Sequence, residues 1–176
     1  MSGEKETKIK ALRRIKEFHR EADQFSSELA NRLGGRIRCR LGCCECCADD
    51  LTVYTIEALR IKEEFAELLA GALPGPAGAC AFLDESGACR IYGARPYVCR
   101  TQGLPIRWFD ETEDEEIVEH RDICPVNEDG PPLKDLDESL LLTVGPFELR
   151  LQSLQSEFDD DKMQRVRLRD LFFAVK

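Results

Sequence analysis

Cys39-Arg40-Leu41-Gly42-Cys43-Cys44-Glu45-Cys46-Cys47 places five cysteines in nine residues, and all nine cysteines of the chain fall between Cys39 and Cys124. Thiols this dense cannot each be an inert core residue, because the chain between them is too short to bury them one by one. They must be disulfides, metal ligands or redox groups.

The surrounding sequence narrows the choice. The N-terminus, Met-Ser-Gly-Glu-Lys-Glu-Thr-Lys, is charged and is followed by no apolar run of signal-peptide or membrane-spanning type. The expectation is a cytoplasmic protein in a reducing compartment, where disulfides are rare, and an odd number of cysteines cannot pair completely within one chain. The length of 176 residues fits one domain, 1–176; 43% hydrophobic residues suffice for a core, and 34% are charged. A formal charge of −9 argues against nucleic acid and anionic membrane as partners, since both need clustered positive charge.

Outward from the cysteines, Ile9, Leu12, Ile15, Phe18, Ala22, Phe25, Leu29 and Leu33 recur at helical spacing, predicting an amphipathic helix over 4–33 that Gly34-Gly35 ends. A second helix is expected over 52–70, with Thr55 as its cap and the Pro74-Gly75-Pro76 run beyond its end. Residues 80–92 read as two short strands about the turn Asp84–Gly87. Arg95–Arg100 reads as a helical turn opened by Pro96. A hairpin is expected from Leu104–Phe109 to Glu116–His120. The C-terminal region, 136–176, should be mainly helical with a break at Gly145-Pro146. Asp159-Asp160-Asp161 reads as an exposed turn, and an apolar tail, Leu168 to Val175, should dock back on the body. Asp49-Asp50 read as helix-start acids, and His19 as a surface residue.

Setting Cys44 aside, eight thiols remain: Cys39, Cys43, Cys46, Cys47, Cys80, Cys89, Cys99 and Cys124. Four thiolates suit a tetrahedral zinc or an iron–sulfur cluster, so eight allow two centres, or one centre plus working thiols. Sulfur donors exclude magnesium and calcium. Only His19 and His120 could add nitrogen, and His120, four residues before Cys124, is the better candidate. The later cysteines are spread singly rather than in paired knuckles, and vicinal Cys46-Cys47 point in different directions. Both features favour an iron–sulfur cluster over Zn2+. The spacing at Cys39, Cys43 and Cys46 matches three-thiolate ligation that leaves one iron of a 4Fe-4S cluster open. Arginines gather at the same places: Arg36, Arg38 and Arg40 before the first cysteines, and Arg90, Arg95, Arg100 and Arg107 around the later ones. They would neutralise a thiolate centre and donate to sulfur. Arg95 and Arg100 are the candidates for contact with the cofactor or an anionic ligand.

Four motifs in order, Cys39-x3-Cys43-x2-Cys46-Cys47, Cys80-Ala-Phe-Leu, Gly87-Ala-Cys89-Arg-Ile-Tyr92 and Arg95-Pro96-x2-Cys99-Arg100, resemble the YkgJ-type cysteine-cluster family, described as a CxxCxxCC zinc- or iron-chelating domain. The resemblance covers about residues 36–125. It implies metal binding through these cysteines, and related motifs occur in flagellin lysine methylases, which look like iron–sulfur enzymes acting with S-adenosylmethionine. Two departures stand out: the first gap is three residues where the family commonly has two, and Cys44 is additional.

The expected architecture is therefore α+β and mainly helical, with small hairpins and cysteine-rich loops organised around bound metal. The core would be 36–125, flanked by helical segments. The functional readings are an iron–sulfur protein with an electron-transfer or oxidoreductase role and a redox partner protein; a zinc-binding structural or carrier protein; and a methylase-like iron–sulfur enzyme. Against the last, the chain is too short for the usual strand-and-helix partial barrel, and no glycine-rich cofactor loop follows the motif. A thioredoxin-like role for Cys43 and Cys46 lacks the strand–motif–helix setting that such thiols need.

Overall fold

The computed structural model describes residues 2–40 and 42–173. The architecture is α+β and mainly helical. Helix α1 (Ser2–Arg32) is followed by β1 (Thr52–Tyr54), α2 (Thr55–Glu64), α3 (Ala66–Gly71) and the short α4 (Tyr97–Thr101). Strands β2 (Ile106–Glu111), β3 (Ile117–Asp122) and β4 (Leu142–Thr143) come next, then α5 (Pro146–Asp159) and β5 (Arg165–Arg167). Among the described residues no helix is long and apolar enough to cross a membrane.

Helix α1 follows its apolar period. Ala11, Ile15, Phe18, Ala22 and Leu29 are buried, and each large side chain among them contributes about 1.5–3 kcal/mol of transfer free energy. Ile9, at the start of the stripe, is exposed. Gly34 stops the helix in the left-handed region, φ +59°, where a side chain would be strained. Ala11, Ile15, Phe18 and Ala22 pack with Ile56, Tyr97, Leu151 and Leu154 in one core, while Leu29 joins Leu104 and Leu142 in a small separate cluster. A second core gathers Val53, Ile61, Leu69, Phe82 and Ile91 with the tail residues Leu168, Leu171 and Phe172. The expected docking of the tail thus holds through Phe172; Val175 lies outside the described residues.

The predicted second helix is two helices preceded by a strand. Thr52–Tyr54 pairs antiparallel with Arg165–Arg167, Val53 opposite Val166, and the helical run breaks at Phe65, φ −127°. Thr55 is not the cap. Its place is taken from a distance by Gln155 of α5, fully buried, whose Oε1 accepts the Ile56 N–H at 2.9 Å while its Nε2 donates to Thr55 Oγ1 at 2.8 Å. The first turn of α2 is satisfied by a tertiary contact, so no local capping signal was needed.

Strands β2 and β3 form the expected hairpin, Ile106 opposite Asp122 and Glu111 opposite Ile117. A parallel third strand, β4, was not foreseen. The strands expected over 80–92 reduce to one isolated bridge, Leu83 with Cys89. From 136 to 145 the chain makes one 3-10 turn, Glu138–Leu140, and β4, so the C-terminal α-helix is confined to Pro146–Asp159. Asp159 closes the turn after it, accepting the N–H groups of Met163 and Gln164. Asp49 starts no helix; it accepts from Arg169 and from the Gly78 N–H.

His19 is the clearest correction: it is fully buried. Arg60 Nη1 lies 2.8 Å from its Nδ1, and arginine can only donate. His19 is therefore neutral, and its Nε2–H donates to the buried Glu57 at 3.1 Å. Glu57 Oε1 also accepts the Tyr97 N–H at 2.7 Å, fixing the start of α4. Burial holds the His19 pKa below its ordinary value, with Arg100 and Arg60 adding to the shift and Glu57 opposing it. Above an unfolded pKa of about 6.5 neither state binds the proton, and below it only the unfolded state does. Stability should therefore fall with acidification, by up to about 1.4 kcal/mol per pH unit, until the lowered folded value is reached. Urea midpoints at about pH 7.5 and 5.5 should diverge more in the native chain than in His19→Gln; equal slopes would refute the assignment.

Candidate metal centre

The cysteine-rich segment is a run of tight turns. Cys43 N–H donates to Arg40 O, Cys47 N–H to Cys44 O and Ala48 N–H to Cys46 O, with Gly42 at φ +88° turning the chain. Successive turns keep several thiols on one side of the loop. Cys80 N–H donates to Cys47 O at 3.0 Å, tying the second cysteine segment to the first. Helix α4, anchored by Glu57, presents Cys99 and Arg100. Between these segments and the Asp23–Ala30 face of α1 lies a cavity of about 480 Å³.

Seven of the eight predicted thiols line that cavity: Cys39, Cys43, Cys46, Cys47, Cys80, Cys89 and Cys99. Cys124 does not line it but is close enough to Cys39 to raise its pKa. Cys44 faces away, near Gly87, whose added Cβ would sit 3.4 Å from its sulfur. The structure contains no disulfide among these nine cysteines. His120 is remote from the cavity; it stacks on Trp108 at 5.2 Å and lies 3.4 Å from Asp110.

Burial raises the pKa of Cys39, Cys80, Cys89 and Cys99, the last to about 12; the negative charge of neighbouring thiolates pushes Cys39, Cys89 and Cys99 the same way, and the Asp49 carboxylate does so for Cys80. Cys46 is the exception. The Cys47 thiol donates to it, lowering Cys46 to about 6 and raising Cys47 in turn. Two sulfurs are also served by the main chain: Cys80 by the Phe82 N–H and Cys89 by the Ile91 N–H, in each case the residue two further on. Donors so placed favour thiolate over thiol.

Cys39 is held most closely. Asn127, fully buried, donates from Nδ2 to Cys39 Sγ at 3.3 Å and to Gly103 O at 2.8 Å, while its Oδ1 accepts the Arg38 N–H at 2.8 Å. That last bond fixes the amide's orientation, because only Oδ1 can accept. Asn127 N–H in turn donates to Cys124 O at 2.8 Å. Sequence reasoning missed Asn127. Its only signal was its place three residues after Cys124 in Cys-Pro-Val-Asn.

Of the seven clustered arginines, only Arg40, Arg95 and Arg100 line the cavity. The others are tied up elsewhere. Arg36 donates to the carbonyls of Asn127, Glu128 and Pro131, and Arg38 to Asp129. Arg90 donates to Leu73 and Ala81 carbonyls, and Arg107 to Thr143 and Glu138. Proximity in sequence to cysteine was a poor guide to proximity in space.

Over residues 38–125 the chain matches the family model CxxCxxCC, whose description reads "Putative zinc- or iron-chelating domain". The chain belongs to the CxxCxxCC family. No curated protein and no solved structure matches it. Among the described residues of this CxxCxxCC domain, no group of three or more His, Cys, Asp or Glu side chains is disposed, as placed, to hold a metal ion. The sulfurs border a shared space rather than converge on one point. The donor chemistry nonetheless fits a soft metal: seven thiols, main-chain N–H groups directed at two of them, and guanidinium charge beside them.

Proposed function

We propose that the cavity thiols hold an iron–sulfur cluster and that the protein transfers electrons through it. The observation that carries this reading is the number of sulfurs on one cavity: seven, where a tetrahedral ion takes four. Cys46, Cys47, Cys80, Cys89 and Cys99 form one set, each within electrostatic reach of another member. Cys39 and Cys43, with Cys124 behind Cys39, adjoin that set, because Cys39 lies within electrostatic reach of Cys46 as well as of Cys43 and Cys124. When bound, such a cluster supplies one-electron redox chemistry. The chain's own residues supply the thiolates, the N–H donors to sulfur, and positive charge from Arg40, Arg95 and Arg100 against the accumulated negative charge.

Protein prepared without oxygen should contain iron and acid-labile sulfide and should absorb in the visible; a colourless protein holding only zinc would end the electron-transfer reading. Metal uptake should also release protons, because most ligand thiols have pKa values above neutrality. Affinity should accordingly rise with pH and fall on acidification. The lowered pKa of Cys46, whose sulfur accepts from the Cys47 thiol, should make its share of that proton release the smallest.

A further inference from the structure

A second cavity, of about 300 Å³ and lined by no cysteine, shares helix α4 with the first. Tyr97 and Thr101 of α4 border it, Cys99 and Arg100 border the thiol cavity, and Val98 and Gln102 border both. Its walls are largely apolar: Val53, Val98, Ile106, Leu142, Val144 and Leu151. Two carboxylates line it, Glu57 and Glu148, and one cation, Arg165. Arg165 is engaged with β1. Its Nε donates to Thr52 Oγ1 at 3.0 Å and its Nη2 to Thr52 O at 2.7 Å, and the guanidinium lies 4.4 Å over the Tyr54 ring.

Glu57 is the deepest polar group on this cavity, only 4% exposed. Both of its N–H partners, Tyr97 and His19, bond to Oε1. Oε2 has no partner among the described residues and, unlike the Tyr97 hydroxyl, is not sealed from solvent. A charged group buried this far with one oxygen unmatched is costly. His19 is neutral and does not offset the charge. Glu148 Oε2 accepts the Gly145 N–H at 2.6 Å, a bond that leaves its charge in place. Burial, then the Glu148 carboxylate, push the Tyr97 pKa up, and Glu57 adds to the effect. The tyrosine therefore contributes no charge, and both carboxylates act on the same part of the cavity.

Two carboxylates against one guanidinium leave a single negative charge, which matches a monocation. A bare metal ion fits poorly. Hard divalent cations take about six or more oxygen ligands, and among the described residues no group of three or more His, Cys, Asp or Glu side chains is disposed to hold one. Apolar walls suit an alkyl body instead, and the volume lies at the lower end of small-ligand pockets, roughly 300–1,000 Å³. We infer that this cavity seats a small organic ammonium ion, which donates to Glu57 Oε2 while its alkyl part lies against the valine and leucine walls. Its position across α4 from a metal rests on the function proposed above; the cation site itself does not.

The test is calorimetric titration of the as-purified full chain with n-butylammonium chloride at constant ionic strength, against sodium chloride and n-butanol, with metal content measured on every sample. The ammonium ion should bind saturably, one per chain, and about ten-fold or more tighter than the uncharged alcohol, the difference expected for a hydrogen bond to a charged group. Glu57→Gln should weaken it by a similar factor. Glu148→Gln keeps an oxygen for the Gly145 N–H and should weaken it about five-fold, the upper range for a partly exposed charge. It carries the test where Glu57→Gln does not fold. No saturable binding, equal affinity for the alcohol, or unchanged affinity in either folded variant would overturn the site. A chain that purifies without metal yet binds n-butylammonium in a Glu148-dependent way would sink the metal reading and leave this site standing.

Discussion

Gly103→Ala is expected to displace Cys39 and destabilise the folded chain by about 2–5 kcal/mol, the sum of a left-handed backbone strain and an overpacked contact. Gly103 sits at φ +92°, and a Cβ there would lie 2.2 Å from Cys39 Sγ and 3.1 Å from Asn127 Nδ2. Real Cβ atoms do not approach sulfur so closely, so the Cys39 side chain must leave, taking its bond from Asn127 with it. Metal content should drop along with the urea midpoint. The double variant Cys39→Ala/Gly103→Ala should recover the part of the stability lost to the clash while remaining depleted in metal. A coupling energy near zero between the two positions would show that the contact does not exist.

Chelating the metal should have an effect as large but confined to the cysteine segments. Between Arg36 and Thr52, and again from Ala72 to Ile91, the described chain has turns and one isolated bridge but no helix or multi-residue strand. Few ladder bonds hold these segments, so bound metal would carry much of their ordering free energy. Amides of Cys43, Cys47, Ala48 and Cys80, bonded within or between these segments, should exchange about a thousand-fold faster after chelation, while those of α1 and α5 should barely change. The α1–α5 core contains no cysteine, which is why it should persist. Unchanged exchange at the four cysteine-segment amides would mean that metal contributes nothing to their order.

Much of the fold was readable where the signal is local. The α1 stripe, the glycine stop at Gly34, the β2–β3 hairpin and the proline-opened α4 all come from periodicity or turn chemistry within a few residues. What was not readable depends on partners far along the chain. His19 looks like a surface residue until Glu57 and Arg60 stand on either side of it. The start of α2 is satisfied by Gln155, a hundred residues later. Phe82 and Ile91 are buried as strand residues would be, but the thiol-bearing turns between them allow only one bridge. At the site, the kind of chemistry was legible from cysteine density, and seven of eight proposed ligands share one cavity. The arginines were read too generously, since four of seven serve carbonyls or carboxylates elsewhere. Asn127 and Gly103 carry no motif of their own and become visible only when the sulfur beside them is placed.

Arg169 joins parts of the molecule that are translated far apart. Its guanidinium donates to Asp49 Oδ1, just after the first cysteine group, and to the carbonyls of Gly75, Pro76 and Ala79, just before Cys80. Strand β5, immediately upstream, closes on β1 in the same region. A nascent polypeptide exposes its first thiols long before the ribosome has added residue 169. During that interval those sulfurs lack the clasp that draws the two groups together, so the two cysteine groups can be held side by side only after elongation has passed residue 169.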